Sequence, residues 1–288
     1  MNIIVNFNKP LGISSHNALS GVKKLFKVRK AGHAGTLDPA ATGVLLICLN
    51  EATKITNYLS DLDKEYIVTA KLGESSDTYD SEGTITKRAE NFSVSAADIE
   101  SVIKKFLGEI EQIPPMYSAI KMSGKPLYKL ARKGIEVERK PRKINIKSIE
   151  IVKFALPFLT LKVSCSKGTY IRSLCHDIGE ALGTGAYVTG LERTRIGGFK
   201  IEDSAGLDEL PGKNTSLCSI DSALAHLPEI ILDGNDLKRA IHGNPVNFPS
   251  GFPDFPASFV RLKYPDGRLF GIGKVSGNSI KIERLLNL

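Results

Sequence analysis

Apolar and polar positions recur along this chain on two periods, and the switches between them predict most of its elements. Residues 3–7 are an apolar run that reads as a strand, closed by the turn-forming Lys9-Pro10-Leu11-Gly12. Ser14 or Ser15 can cap a helix over about residues 17–26, where Leu19, Val22, Leu25 and Phe26 share one face. Residues 44–49 (VLLICL) have the length of a buried strand, residues 52–59 read as a helix, and Lys64–Leu72 (KEYIVTAKL) alternates as a half-buried strand. Ser95 and Asp98 make a capping-box variant before an amphipathic helix over residues 99–107, and Pro114-Pro115 halts regular structure. Residues 144–152 and 158–165 read as paired strands, followed by a helix within residues 166–178 (SKGTYIRSLCHDI), with Tyr170, Ile171 and Leu174 facing inward. Arg193 and Arg195 fall on a strand entering a Gly197-Gly198 bulge, and residues 219–225 are helical. Composition then shifts: residues 248–256 (FPSGFPDFP) suit a loop, while residues 259–262, 268–274 and 279–283 alternate like strands of a small β-barrel. This places a domain boundary near residue 228, with residues 1–228 in one domain and 229–288 in another.

Length and composition narrow the class. A chain of 288 residues with 42% hydrophobic and 24% charged positions suits a soluble globular protein of one large domain, or a large one plus a small one. No apolar run approaches a membrane span and the first residues, MNIIVNFNKPLG, lack a signal-peptide pattern, so a cytoplasmic protein without membrane contact is expected. Cys48, Cys165, Cys175 and Cys218 show neither a CxxC pair nor zinc spacing and read as free thiols. Charge changes the picture more: a net +8 and a pI near 9.2 point to a polyanionic partner, nucleic acid first. The cations crowd residues 121–147, where Tyr128 and Leu130 are interleaved, with Met116 and Tyr117 just upstream. Rings there can stack on bases while cations follow phosphates, and an ordinary solvated helix and loop is the other reading.

Candidate chemistry centres on residues 29–50, RKAGHAGTLDPAATGVLLICLN. Small residues surround the imidazole of His33, and Asp38 stands directly before Pro39, which biases it away from the α region. The loop holds either a lone functional carboxylate or a plain Asp-Pro turn. Arg172 sits in the first turn of its helix, where a cation opposes the helix dipole and so points to a specific carboxylate or phosphate partner. Residues 77–83 (DTYDSEG) are acidic and turn-rich, lack calcium-loop spacing, and read as a solvated loop. No phosphate loop, dinucleotide fingerprint or HExxH is present, and Cys175-His176 point to different helix faces. The residues alone suggest cofactor-free chemistry on a nucleic acid, since a carboxylate kept ionised by an arginine can serve as nucleophile or base.

The segments NKPLGISSHNAL, GHAGTLDPAATGVLLICLNEATK, KEYIVTAKLG, PPMYSAIKMSGKPLYKLARKGIEV and SKGTYIRSLCHDIGEALGTGAYVTGLERTRIGGF, in that order, resemble the bacterial TruB family over residues 7 to about 200. The resemblance implies a tRNA pseudouridine synthase that isomerises uridine 55 of the T loop by breaking the bond between ribose C1′ and uracil N1, rotating the ring and rejoining it through C5. It implies an α+β fold, a mixed, largely antiparallel sheet flanked by helices, with a basic thumb insertion over about residues 114–142 and a small C-terminal PUA-like β-barrel. Asp38 would be the catalytic nucleophile, adding to the ring, adding to C1′ or assisting elimination at the ribose. His33 would enter the space near a flipped-out nucleotide, Tyr66 would stack on the uracil, Arg172 would pair with Asp38, Tyr170 and Leu191 would line the pocket, and Lys9 would support it. No cofactor, metal or guide RNA is implied, the partner being the T arm of tRNA, and a monomer is expected. Glu192, where many members are expected to carry a second cation, departs from the pattern. A silent RNA binder on the same fold, a guide-RNA-dependent synthase lacking the thumb, and a different target uridine are the competing readings.

Overall fold

The computed structural model describes residues 1–118, 120–122, 124–131, 133–248 and 258–288. Strand β1 (Ile3–Lys9) runs into helix α1 (Ser15–Leu25), whose first turn is capped by the Ser14 hydroxyl accepting from the Asn17 amide. Next come β2 (Ala31–Ala34), β3 (Ala41–Leu49) and β4 (Lys64–Leu72). Helix α2 (Ala96–Lys104) starts at the reciprocal Ser95–Asp98 capping box, and β5 (Gly108–Gln112), β6 (Arg142–Ala155) and β7 (Phe158–Cys165) follow. Helix α3 (Ile171–Ala181), β8 (Ala186–Ile196), β9 (Phe199–Lys200) and β10 (Leu217–Ser219) complete the first unit.

Among the described residues these ten strands form one sheet, in the order β10-β1-β3-β8-β4-β7-β6-β5, with β2 beside β3 and β9 beside β8. The pairing of β3 with β8 is parallel and the other named pairs are antiparallel, so the sheet is mixed and largely antiparallel as expected. One face is covered by α1, α2 and α3, through Leu19 and Val22, Ile99 and Ile103, and Ile171, Leu174 and Ile178. The other face of β1 and β3 packs Val44, Leu46 and Cys48 against Ala52, Ile55 and Leu59, and against Leu269, Ile272 and Leu286 from the end of the chain. Burial on both faces explains the unbroken apolar run in β3, where alternation would leave a polar row inside a core.

The chain beyond residue 228 makes a five-stranded sheet of β11 (Glu229–Ile231), β12 (Val246–Asn247), β13 (Phe259–Lys263), β14 (Leu269–Ser276) and β15 (Ser279–Leu285), in the order β11-β13-β14-β15-β12. Helix α4 (Gly234–Ile241) contributes Ala240 to its separate core. Apart from Phe248, the loop expected over 248–256 lies outside the described residues.

Three elements differ from the sequence reading. Residues 31–34, taken as loop, are a strand on β3, because small side chains fit beside a strand buried on both faces. The helix expected over 52–59 opens as a 3-10 turn, Asn50–Ile55, and becomes α-helical only at Thr56–Ser60. Thr53 and Thr56 donate to the carbonyls three residues back, at 2.7 and 2.9 Å, which favours the tighter winding. Gly197-Gly198 forms the two-residue turn of the β8–β9 hairpin rather than a bulge.

Candidate active site

The Asp38 loop, residues 35–40, joins β2 to β3 where β3 parts from β1 and meets β8. Three buried anchors hold it. Ser15, the first residue of α1, accepts from the Leu37 amide and donates to the Leu37 carbonyl, both at 2.8 Å. Lys9, fully buried at the end of β1, donates to the carbonyls of Pro10, Ile13 and Pro39 at 2.9, 2.8 and 3.4 Å. Arg193 of β8 donates through Nε to Val44 at 2.7 Å and through Nη2 to Gly35 at 2.8 Å. Gly43 makes this approach possible: its φ is +99°, and a Cβ there would collide with the Arg193 carbonyl oxygen.

So fixed, Asp38 faces the first turn of α3. Arg172 Nε lies 3.0 Å from Asp38 Oδ2, and Arg172 Nη1 lies 3.0 Å from Asp80 Oδ2. The same guanidinium donates to the Thr78 and Tyr117 carbonyls, each at 2.8 Å. Two carboxylates therefore compensate the cation that the helix dipole disfavours. Arg172 and Asp80 are each 6% exposed at the side chain, while Asp38 keeps 41%. Asp80 Oδ1 also accepts from the Thr78 hydroxyl at 2.6 Å and the Glu82 amide at 3.1 Å. The acidic turn read as solvated is thus, at Thr78 and Asp80, part of the buried site.

Asp38, Tyr66, Tyr170, Arg172 and Leu191 line one cavity of about 370 Å³, together with Lys64, Ile120 and Arg193. Lys9 and His33 are outside that lining. Lys9 braces the loop from behind, and His33, half-buried on β2 opposite Ile47, has an Nδ1 without a hydrogen-bond partner among the described residues. Tyr170 is set by Gln112 at the end of β5, which accepts from its amide at 2.8 Å and donates to its carbonyl at 3.0 Å. Gln112 carries no recognisable signal in the sequence; Ser15 reads there only as a possible helix cap, Lys64 and Arg193 only as strand residues, and Asp80 only as part of an acidic turn.

Burial dominates the electrostatics. It raises the Asp38 carboxyl above its ordinary 3.8, with Asp80 adding to the rise and Arg172 and Lys9 opposing it. Lys9 is pushed down to about 8 by burial, against the pull of Asp38, and stays protonated at neutral pH. Lys64 falls to about 8 for the same reason, with Arg193 adding to the fall. Burial lowers His33, aided by Arg193 and His16, and raises the Tyr66 phenol, opposed by Arg193. A half-open carboxylate with one oxygen fixed on a buried arginine, in the wall of a cavity that Tyr66 and Tyr170 also line, can attack a bound electrophile or take a proton.

Residues 23–171 match the family described as TruB family pseudouridylate synthase (N terminal domain), and residues 172–227 match the tRNA pseudouridylate synthase B C-terminal domain. The chain is 43% identical to tRNA pseudouridine synthase B of Dechloromonas aromatica, over 99% of this chain and 95% of that one. It is 43% identical to the same-named protein of Clostridium tetani, over 99% and 100%, and 46% identical to that of Pseudomonas fluorescens, over 95% and 91%. Among solved structures it superposes on a chain of an H/ACA RNP bound to a substrate RNA containing 2′-deoxyuridine, with a TM-score of 0.74, 25% identity and 99% and 85% coverage. A Cbf5-Nop10-Gar1 complex gives a TM-score of 0.75, 27% identity and 98% and 84% coverage.

Proposed function

This chain belongs to the TruB family of pseudouridylate synthases, and from that premise we propose that it isomerises uridine 55 in the T loop of tRNA, with Asp38 as the nucleophile. Modification of uridine in tRNA is supported by the relatives named tRNA pseudouridine synthase B, which align over nearly the whole chain. The observation that carries the assignment of Asp38 is its 3.0 Å pairing with Arg172 at the wall of the cavity that Tyr66 and Leu191 also line.

The reaction balances within the substrate. The C1′–N1 bond breaks, the uracil turns, C1′–C5 forms, the C5 proton leaves and N1 gains a proton. The target base must first leave its stack, at a cost of a few kcal/mol. Tyr66 would stack on it, Tyr170 and Leu191 would bound it, His33 would enter near the vacated space, and Lys9 would hold the Asp38 loop. Residues 114–142, inserted between β5 and β6, are read as the thumb that grips the T arm. They bring the Tyr117 carbonyl to Arg172, and Ser118 and Ile120 to the cavity. The sheet of residues 229–288 is read as a PUA-like RNA-binding domain. The protein is proposed to act as a cytoplasmic monomer, without guide RNA, cofactor or metal.

The test uses a T-arm stem-loop with tritium at uracil C5 and no added metal, nucleotide or guide. Release by the wild type and none by a folded, RNA-binding Asp38→Asn variant is the expected result. Equal release from both proteins removes Asp38 from the chemistry. Release only when a guide RNA is supplied moves the protein to the guide-dependent class, which its fold likeness to an H/ACA RNP chain keeps in view.

A further inference from the structure

We propose that Tyr79 and His176 form a stacking clamp that positions Arg172, and through it Asp38, for the reaction; the proposal rests on the role given to Asp38 above. Their rings lie 4.0 Å apart between centroids and 16° from parallel. His176 stands four residues after Arg172 on α3, so both side chains leave one face of the helix. Both meet the same short segment. Arg172 grips it on either side of Tyr79, through the Thr78 carbonyl and the Asp80 carboxylate, and His176 covers the ring between them.

That segment needs holding. Tyr79 has a φ of +63°, a left-handed conformation unfavourable for a bulky aromatic residue. The turn directs the Thr78 carbonyl and the Asp80 carboxylate to one guanidinium nitrogen. The Tyr79 amide donates to the Ser76 carbonyl at 3.1 Å and its carbonyl accepts from the Val188 amide at 3.0 Å, so the main chain is pinned at both ends. Its ring is held by the stack. His176 Nδ1 is buried with no hydrogen-bond partner among the described residues, so ring packing orients the imidazole on that side. Burial keeps the imidazole pKa below the ordinary 6.5, with Glu180 pulling it up and Arg88 pushing it down. A neutral ring stacks on Tyr79 without placing a second cation beside Arg172.

Without the stack, only the two main-chain hydrogen bonds hold the turn, its backbone gains other conformations, Asp80 swings off Nη1, and Arg172 no longer presents Nε to Asp38. Tyr79 and His176 are therefore positioning residues and lie outside the cavity lining. The test compares Tyr79→Gly, His176→Ala and His176→Phe. Glycine suits a positive φ and so removes the ring without straining the turn, which keeps the test open should His176→Ala fail to fold. On the T-arm stem-loop, Tyr79→Gly and His176→Ala are expected to lower kcat about ten- to a hundredfold, the scale of a small misplacement of a catalytic group. KM should stay within about twofold, because substrate binding is untouched. His176→Phe should restore most of the rate, since it keeps the ring and drops the imidazole. A second arm needs no RNA: proton exchange at Arg172 Nε, followed by NMR, should accelerate in the Ala and Gly variants and stay slow in the Phe variant. A wild-type kcat in both disruptive variants, a loss confined to KM, or an Nε–H that exchanges as in the wild type overturns the clamp. A wild type that modifies no RNA while its Arg172 exchange still depends on the stack overturns the functional reading and leaves the clamp standing.

Discussion

Arg172 shows how much one side chain can be asked to do. A lysine at that position is a single point charge and could not reach two carboxylates and two carbonyls in one plane. Removing the guanidinium leaves Asp80, 6% exposed at the side chain, as a buried charge without its cation. Arg172→Met should therefore cost about 3–5 kcal/mol in urea unfolding, the usual penalty for breaking a buried pair from one side. Arg172→Met combined with Asp80→Leu should recover much of that stability and none of the activity. A double variant as unstable as the single would mean that the ion pair is not the source of the loss. Asp38 leads to a pH prediction. Its carboxyl is raised by burial above 3.8, and the nucleophilic role proposed for it needs the ionised form. As pH falls through that raised value kcat/KM should fall with it, so the acid limb of the profile belongs above the ordinary carboxylate position. A limb at or below 3.8 would show that Arg172 outweighs desolvation in the free enzyme.

At the level of elements, the Asp38 loop is only as rigid as the pieces that brace it, and Ser15 is the narrowest brace. Its hydroxyl serves both polar groups of Leu37 inside the core. Ser15→Ala strands two buried groups and should cost about 1–3 kcal/mol, with a lower kcat and unchanged RNA affinity; full activity in a destabilised variant would separate loop rigidity from catalysis. Sequence legibility divides along the same line. KEYIVTAKL is a strand with the bounds its alternation predicts, and the Ser95–Asp98 box starts its helix, because those signals are local. The residues around Asp38 leave it between a functional carboxylate and an Asp-Pro turn, and only the resemblance of GHAGTLDP to the TruB family singles it out. Asp80 was invisible: a polar residue in a turn has no period, and what buries it is an arginine 92 positions later. The parallel pairing of β3 with β8, which brings Arg193 to the Asp38 loop, was equally hidden, since no local pattern shows that two strands run parallel side by side.

For the whole molecule, the charge of +8 should govern encounter with RNA. Binding of the T-arm stem-loop should weaken steeply as salt rises, with log Kd linear in log salt concentration, because phosphate contacts release counterions; a salt-independent Kd would remove the basic grip. The two sheets are bound more closely than a boundary near residue 228 suggests. Leu269, Ile272 and Leu286 pack in the core beneath β3, and Arg261 and Lys263 each pair with Asp221 across the junction, at 2.6 and 2.9 Å. Truncation after residue 228 should expose that apolar face and lower the melting temperature of what remains.

The parallel seam between β3 and β8 also sets a schedule. Val44 and Arg193, joined by a hydrogen bond, are 149 positions apart in the chain. A ribosome adding about 5–20 residues each second needs roughly seven to thirty seconds to travel from one to the other. Throughout that interval the nascent protein carries Asp38 on a loop that lacks its arginine brace, with α3 synthesised only near the end. The pocket is born late: the emerging chain has no Asp38–Arg172 pair until α3 is made, and no braced Asp38 loop until the eighth strand has been set beside β3.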